Sequence, residues 1–167
     1  MFYAAMLVSA IAAIVIASLP GHQSAFLFAI GLFSTYFIIS GRRSLYYKQK
    51  AFNLTIDKIL AYMIVITGGS MLLYPLVIYG RLNIILTVFG SVGLVFGLRD
   101  LKLLKDTNRL KNSWLKLHLG KMSGGYIAAV SAFFVVNQIL PGIWNWFAPG
   151  IVGSGFIAYW MIKVSRK

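Results

Sequence analysis

Apolar residues fill six long runs of the chain, and the stretches that divide them are short: Pro20-Gly21, a basic segment from Gly41 to Leu54, Gly80-Arg81, a charged stretch over 105–119, and Pro141-Gly142. A helix needs about 20 apolar residues to cross the hydrocarbon core of a bilayer. The runs predict transmembrane helices at about 2–19, 23–46, 56–79, 82–104, 120–140 and 147–164, in a single domain covering 1–167. The expected fold class is all-α: an integral membrane helical bundle of six transmembrane helices with both termini on the inner side.

Finer features refine these helices. The first lacks a basic leader, and Ala17-Ser18-Leu19 is a poor cleavage site, so it reads as a retained membrane helix and not a signal peptide. Small residues recur every three or four positions at Ala5, Ser9, Ala13 and Ala17, at Gly90, Gly93 and Gly97, and at Gly120, Gly124 and Ala128, which predicts close helix packing on those faces. Thr55 is the expected N-cap of helix 3, with Asp57 in its first turn, where a negative charge suits the helix dipole. Gly68-Gly69-Ser70 and Pro75 predict a kink in that helix. Over 105–119, together with Leu103, the residues Leu103, Leu110, Trp114 and Leu117 share one face while Arg109, Lys111 and Lys116 lie elsewhere, so an amphipathic surface segment is expected before helix 5. Gly41-Arg42-Arg43-Ser44-Leu45 and Gly97-Leu98-Arg99-Asp100-Leu101 share a Gly-x-Arg-x-Leu spacing that hints at a duplicated hairpin.

Composition strengthens the membrane reading. The chain is 59% hydrophobic and 11% charged, with a mean hydropathy of +0.81, whereas soluble domains carry about a quarter charged residues. Its net charge of +13 would suit nucleic acid, but the basic residues stand in blocks between apolar runs, the pattern of an orientation signal, and no nucleic-acid partner is expected. Five Lys and Arg belong to the connection between helices 2 and 3 with the start of helix 3, seven to the connection between helices 4 and 5, and three to the C-terminus, against Arg81 alone on the opposite side. Positive charge stays inside, so six crossings and the N-in/C-in orientation agree. The expected location is the bacterial inner (plasma) membrane. The expected partners are the lipid bilayer and anionic lipids at its cytoplasmic face, met by Arg42, Arg43, Arg99, Arg109, Lys111 and Lys116.

Candidate chemistry is sparse. There is no cysteine and no glutamate, and Asp57, Asp100 and Asp106 are the only acidic residues. No Ser-His-Asp set and no phosphate loop can be assembled, so no catalytic residue and no metal site is assigned. His118, Met122 and Tyr126 follow one another at four-residue steps along helix 5, and Asn137 lies three turns beyond Tyr126 on the same face. These four are the candidate ligand-binding residues, against the plainer alternative of interhelical hydrogen bonds. His22 is expected at the opposite membrane surface, about 30 Å away, too far to share one metal ion or one haem with His118. Two function classes stand. One is a non-enzymatic module, transporter-like or accessory; the other is a redox protein binding haem, quinone or copper in a homo-oligomer, with the cofactor unknown.

The run from His118 through Leu-Gly-Lys-Met122 and Gly-Gly-Tyr126 to Asn137, with Tyr36 and Ser40-Gly41-Arg42-Arg43-Ser44-Leu45 upstream, resembles an uncharacterised family of bacterial multi-pass predicted inner-membrane proteins of unknown function. The resemblance covers most of the chain and implies a role for the positions of His118 and Tyr126 without naming one. Members of that family often carry further residues ahead of the first helix, so the chain reads as a short member or as one lacking an N-terminal piece.

Overall fold

The computed structural model describes residues 1–21, 24–49 and 52–165. Among them are six α-helices and no strand: α1 Phe2–Ser18, α2 Ala25–Arg43, α3 Thr55–Tyr79, α4 Ile84–Leu103, α5 Thr107–Asn137 and α6 Trp144–Ser165, with a short 3₁₀ helix, Ser44–Lys48, continuing from α2. Three of them, α3, α4 and α5, are long and apolar enough to cross a membrane. Six were expected to be. The 17 residues of α1 leave it short of that length.

The helix starts follow from local chemistry. Ser24, Asn83 and Asp106 turn side-chain oxygens onto the backbone N–H groups of Leu27, Leu86 and Arg109, at 3.2, 3.1 and 3.0 Å, and so satisfy donors that a helix N-terminus leaves free. For α3 the expected cap at Thr55 is not found: Leu54 occupies the cap position, and Asn53 one residue earlier accepts from the Thr55 N–H at 2.7 Å. α3 runs unbroken through Gly68-Gly69-Ser70 and Pro75 and ends at Gly80, whose φ of +63° suits a residue without a side chain.

The largest departure from expectation is α5. The charged stretch does not form a separate surface helix: from Thr107 on it is the first part of one 31-residue helix. Nothing between Thr107 and Asn137 breaks a helix strongly enough to divide it, since the only candidates are the glycines at 120, 124 and 125 and these lie within a run of good helix formers. The turn from α5 to α6 is held by Asn145, buried at 1% exposure, which accepts from the Leu140 N–H at 2.7 Å and donates to the Leu140 carbonyl.

α2 is central, in contact with α1, α3 and α5. Its Phe33, Tyr36 and Phe37 pack with Leu60, Ile64 and Met71 of α3 to form the main core. A second cluster, Tyr47, Ala61, Leu104 and Leu110, closes the end at which α2, α4 and the start of α5 meet. α3 and α4 form one tight hairpin and α5 and α6 another, whereas α4 hardly touches α5.

Candidate functional site

The hairpin of α3 and α4 closes through glycine. A Cβ on Gly68 would lie 2.7 Å from the Gly90 carbonyl oxygen, and one on Gly90 2.7 Å from the Gly68 carbonyl oxygen, so the two backbones touch. Gly97 faces Ile64 and Val65 as closely. On the other side of α4 the packing opens, and a groove of about 770 Å³ separates α4 from the α5–α6 hairpin, with Phe33 and Phe37 of α2 as its floor. The α5 wall includes the small residues Gly120, Gly124, Ala128 and Ala132, four apart along the helix, which leave space in front of them.

The two ends of this groove differ in kind. Arg99, Asp100 and Lys102 from the end of α4 and Arg109, Lys116 and Lys121 from the first half of α5 line one end. Phe89, Trp146 and Phe147 line the other. All the charged lining residues thus stand at the end where α4 finishes and α5 begins.

Two buried ion pairs stand beside the charged end. In one, the Arg43 guanidinium donates to both oxygens of Asp57, from Nε at 2.9 Å and from Nη2 at 2.7 Å, and Nη2 also donates to the Asn53 carbonyl at 2.6 Å. The Tyr47 hydroxyl adds a bond to Asp57 Oδ1 at 2.8 Å. Burial, with the Asp57 carboxylate beside it, pushes the Tyr47 hydroxyl well above the ordinary tyrosine range, so it stays a donor. In the other, Lys121 donates to Asp100 Oδ2, and the Tyr36 hydroxyl reaches the same oxygen at 2.7 Å. Between the pairs lies a cavity of about 10 Å³, lined by Ser40, Tyr47, Asp57, Asp100 and Lys121 among leucines. That is room for one water molecule among several polar groups.

The residues singled out in the sequence fall into different places. The His118 ring is bonded through Nδ1 to the Gly41 carbonyl of α2 at 2.7 Å, and Met122 lies against Gly41 so closely that a Cβ there would be 2.9 Å from its sulfur. Tyr126 is 59% exposed, with its ring 6.3 Å from that of Phe2. Asn137 is exposed and donates to the Phe133 carbonyl of its own helix at 2.8 Å. The row therefore faces α2 and α1 and lies outside the groove, and its four members do not converge. His22 lies outside the described residues. Of the Gly120, Gly124 and Ala128 row, expected to press against a helix, Gly124 does so, since a Cβ there would lie 3.1 Å from the Phe37 ring of α2, whereas Gly120 has only the tip of Met161 within ordinary contact distance; all three also line the groove.

The basic residues divide in the same way. Arg99, Arg109 and Lys116 line the groove. Arg43 does not serve the surface, because its planar fork is engaged by Asp57. Arg42 lies 4.4 Å over the Tyr3 ring, and Lys111 stands 6.0 Å from that of Phe52. Asp57 keeps its place in the first turn of α3, but it also clamps α2 to α3. The Tyr36–Asp100–Lys121 cluster was not anticipated. A signal for it existed: three acids among sixteen cations in an apolar chain are each expected to have a partner. No family model, no curated protein and no solved structure matches the chain.

Proposed function

We propose that the chain is a multi-pass integral membrane protein and a non-enzymatic module, transporter-like or accessory, that works by binding at the groove between α4 and the α5–α6 hairpin. The observation that carries this reading is the groove itself, with an apolar body and a cationic end in one continuous space. Binding sites take this form, a concave and mainly apolar space with a few polar groups that set orientation. The outward surface supports the membrane setting: Val8, Ile66, Val77, Val95, Val136 and Val152 are all well exposed, on helices from one end of the chain to the other. So many exposed large apolar side chains suit lipid better than water.

In this reading all six helices cross, and the loop charges place both termini and the connections after α2 and α4 in the cytoplasm. The resemblance to bacterial inner-membrane proteins carried by the residues around His118 supports the same location. The cationic end of the groove then opens at the cytoplasmic face.

The chain has no cysteine, so single introduced thiols can be read without background. Cysteines at the exposed positions Tyr46 and Asn112 resist a membrane-impermeant maleimide in intact cells, and one at exposed Leu82 reacts. Labelling of position 46 or 112 from outside overturns the proposed placement.

A further inference from the structure

The groove has one charged end and one apolar end, which is the form of an amphiphile. We propose that it is a site for one anionic phospholipid drawn from the surrounding bilayer, with the headgroup at Arg99, Lys102, Arg109 and Lys116 and the chains along the apolar body. The proposal rests on the membrane placement above and adds the ligand.

Charge complementarity is the first argument. Lys121 is balanced by Asp100, which leaves four lining cations outside both ion pairs found among the described residues. Cations grouped at the edge of a low-dielectric space repel one another unless an anion joins them, and a phosphate offers several acceptors to Arg and Lys donors at once. Asp100 lines the same end, and its carboxylate is held by Lys121 and Tyr36, so it does not present a free charge to an incoming phosphate.

Shape is the second argument. On α4 the groove runs from Leu103 back to Val88, about 22 Å at the rise of a helix, and on α5 from Arg109 to Ala132, about 34 Å. A hydrocarbon core is about 30 Å thick, so either wall is long enough to take the chains of one leaflet with the headgroup beyond them.

A second copy of the chain is the weaker occupant, because among the described residues Asp57 is engaged by Arg43 and Asp100 by Lys121, which leaves the exposed N-cap Asp106 as one carboxylate to set against four cations.

The test is native mass spectrometry of the full chain purified in detergent and titrated with phosphatidylglycerol or with phosphatidylcholine of the same chains. The expected result is a single phosphatidylglycerol adduct formed about tenfold more tightly than the phosphatidylcholine one. The double variant Arg109→Ala/Lys116→Ala removes that preference, and the charge-keeping Arg109→Lys/Lys116→Arg retains it. Ala128→Phe, which fills the groove without touching the charges, weakens both adducts. Equal binding of the two lipids, an unchanged preference in the alanine double variant, or loss of the phosphatidylglycerol adduct on adding inorganic phosphate overturns the proposal, the last by showing a site for a soluble anion. Maleimide labelling reports separately on the crossings, so a chain that crosses six times and shows no headgroup preference refutes the lipid site alone.

Discussion

The two sides of α4 solve opposite problems with similar residues. Toward α3 its glycines bring backbones into contact, and toward α5 the facing glycines and alanines leave about 770 Å³ open. Small residues are therefore not in themselves a packing signal. They permit close approach, and whether it happens depends on where the neighbouring helices are held. α3 is joined to α4 by a short turn that brings the two helices together along their length. α5 is held on α2, by His118 to Gly41 and by packing of Gly125 on Ile38, and is tied to α4 at one end by Lys121 to Asp100, so the rest of its small face stands back from α4.

The strongest way to break this comparison is to add bulk on each side. Gly90→Leu drives a side chain into the Gly68 carbonyl, a backbone atom that cannot swing aside, and is expected to cost more than about 3 kcal/mol, above the usual range for overpacking. Ala128→Leu points into the groove and is expected to cost less than about 1 kcal/mol. Thermal unfolding in detergent measures both. Equal losses would mean that the α5 face is closed in solution.

The two ion pairs sharpen the contrast at the next level. Asp57→Asn leaves the Arg43 charge without its counter-ion among buried groups, and we expect a loss of about 2 kcal/mol. Asp100→Asn is expected to cost at least as much, because the Lys121 side chain is 10% exposed against 19% for Arg43 and the Tyr36 hydroxyl shares the same carboxylate oxygen. If the Asp100 variant is the more stable of the two, Lys121 turns its ammonium into the groove when its partner is lost.

Much of this arrangement was legible from local pattern, and the remainder depended on distance along the chain. Six apolar runs separated by Pro-Gly, Gly-Arg and basic segments correspond to six helices, because periodicity and breakers act within a few residues. The cap of α3 was missed by one position, at Leu54 in place of Thr55, within the ordinary uncertainty of a helix end. The division of α5 failed for a different reason: a change from charged to apolar composition alters what surrounds a helix without ending it. Arg43 and Asp57 are 14 positions apart in the chain, while Tyr36 and Lys121 stand 64 and 21 positions from Asp100. No pattern in the sequence joins such positions until the helices are placed. The Gly-x-Arg-x-Leu echo shows the same limit, since Arg43 is engaged by a carboxylate and Arg99 lines the groove.

His118 bears on how α5 is held back from α4. Its bond to the Gly41 carbonyl is one of the few polar links between α5 and α2, and a typical intramolecular hydrogen bond contributes about 1 kcal/mol. His118→Ala is expected to lower stability by about that much, and His118→Asn, which keeps a short donor, by less. A calorimetric scan in detergent distinguishes this from a loss near zero, which would show that packing of Gly125 on Ile38 alone fixes α5.

The smallest expected effect lies on α4 itself. The Thr87 hydroxyl oxygen is buried with no hydrogen-bond partner, one turn before Ser91 and beside the Val88 that lines the groove. A buried hydroxyl without a partner costs free energy, and valine fills nearly the same space without that cost. Thr87→Val is therefore expected to fall within about 0.5 kcal/mol of the parent, on the stabilising side. The comparison with Gly90→Leu, three residues along the same helix, makes the point in one element: on α4 the space available decides the outcome, and polarity shifts it only slightly. A clear destabilisation by Thr87→Val would mean that the hydroxyl has a hydrogen-bond partner after all.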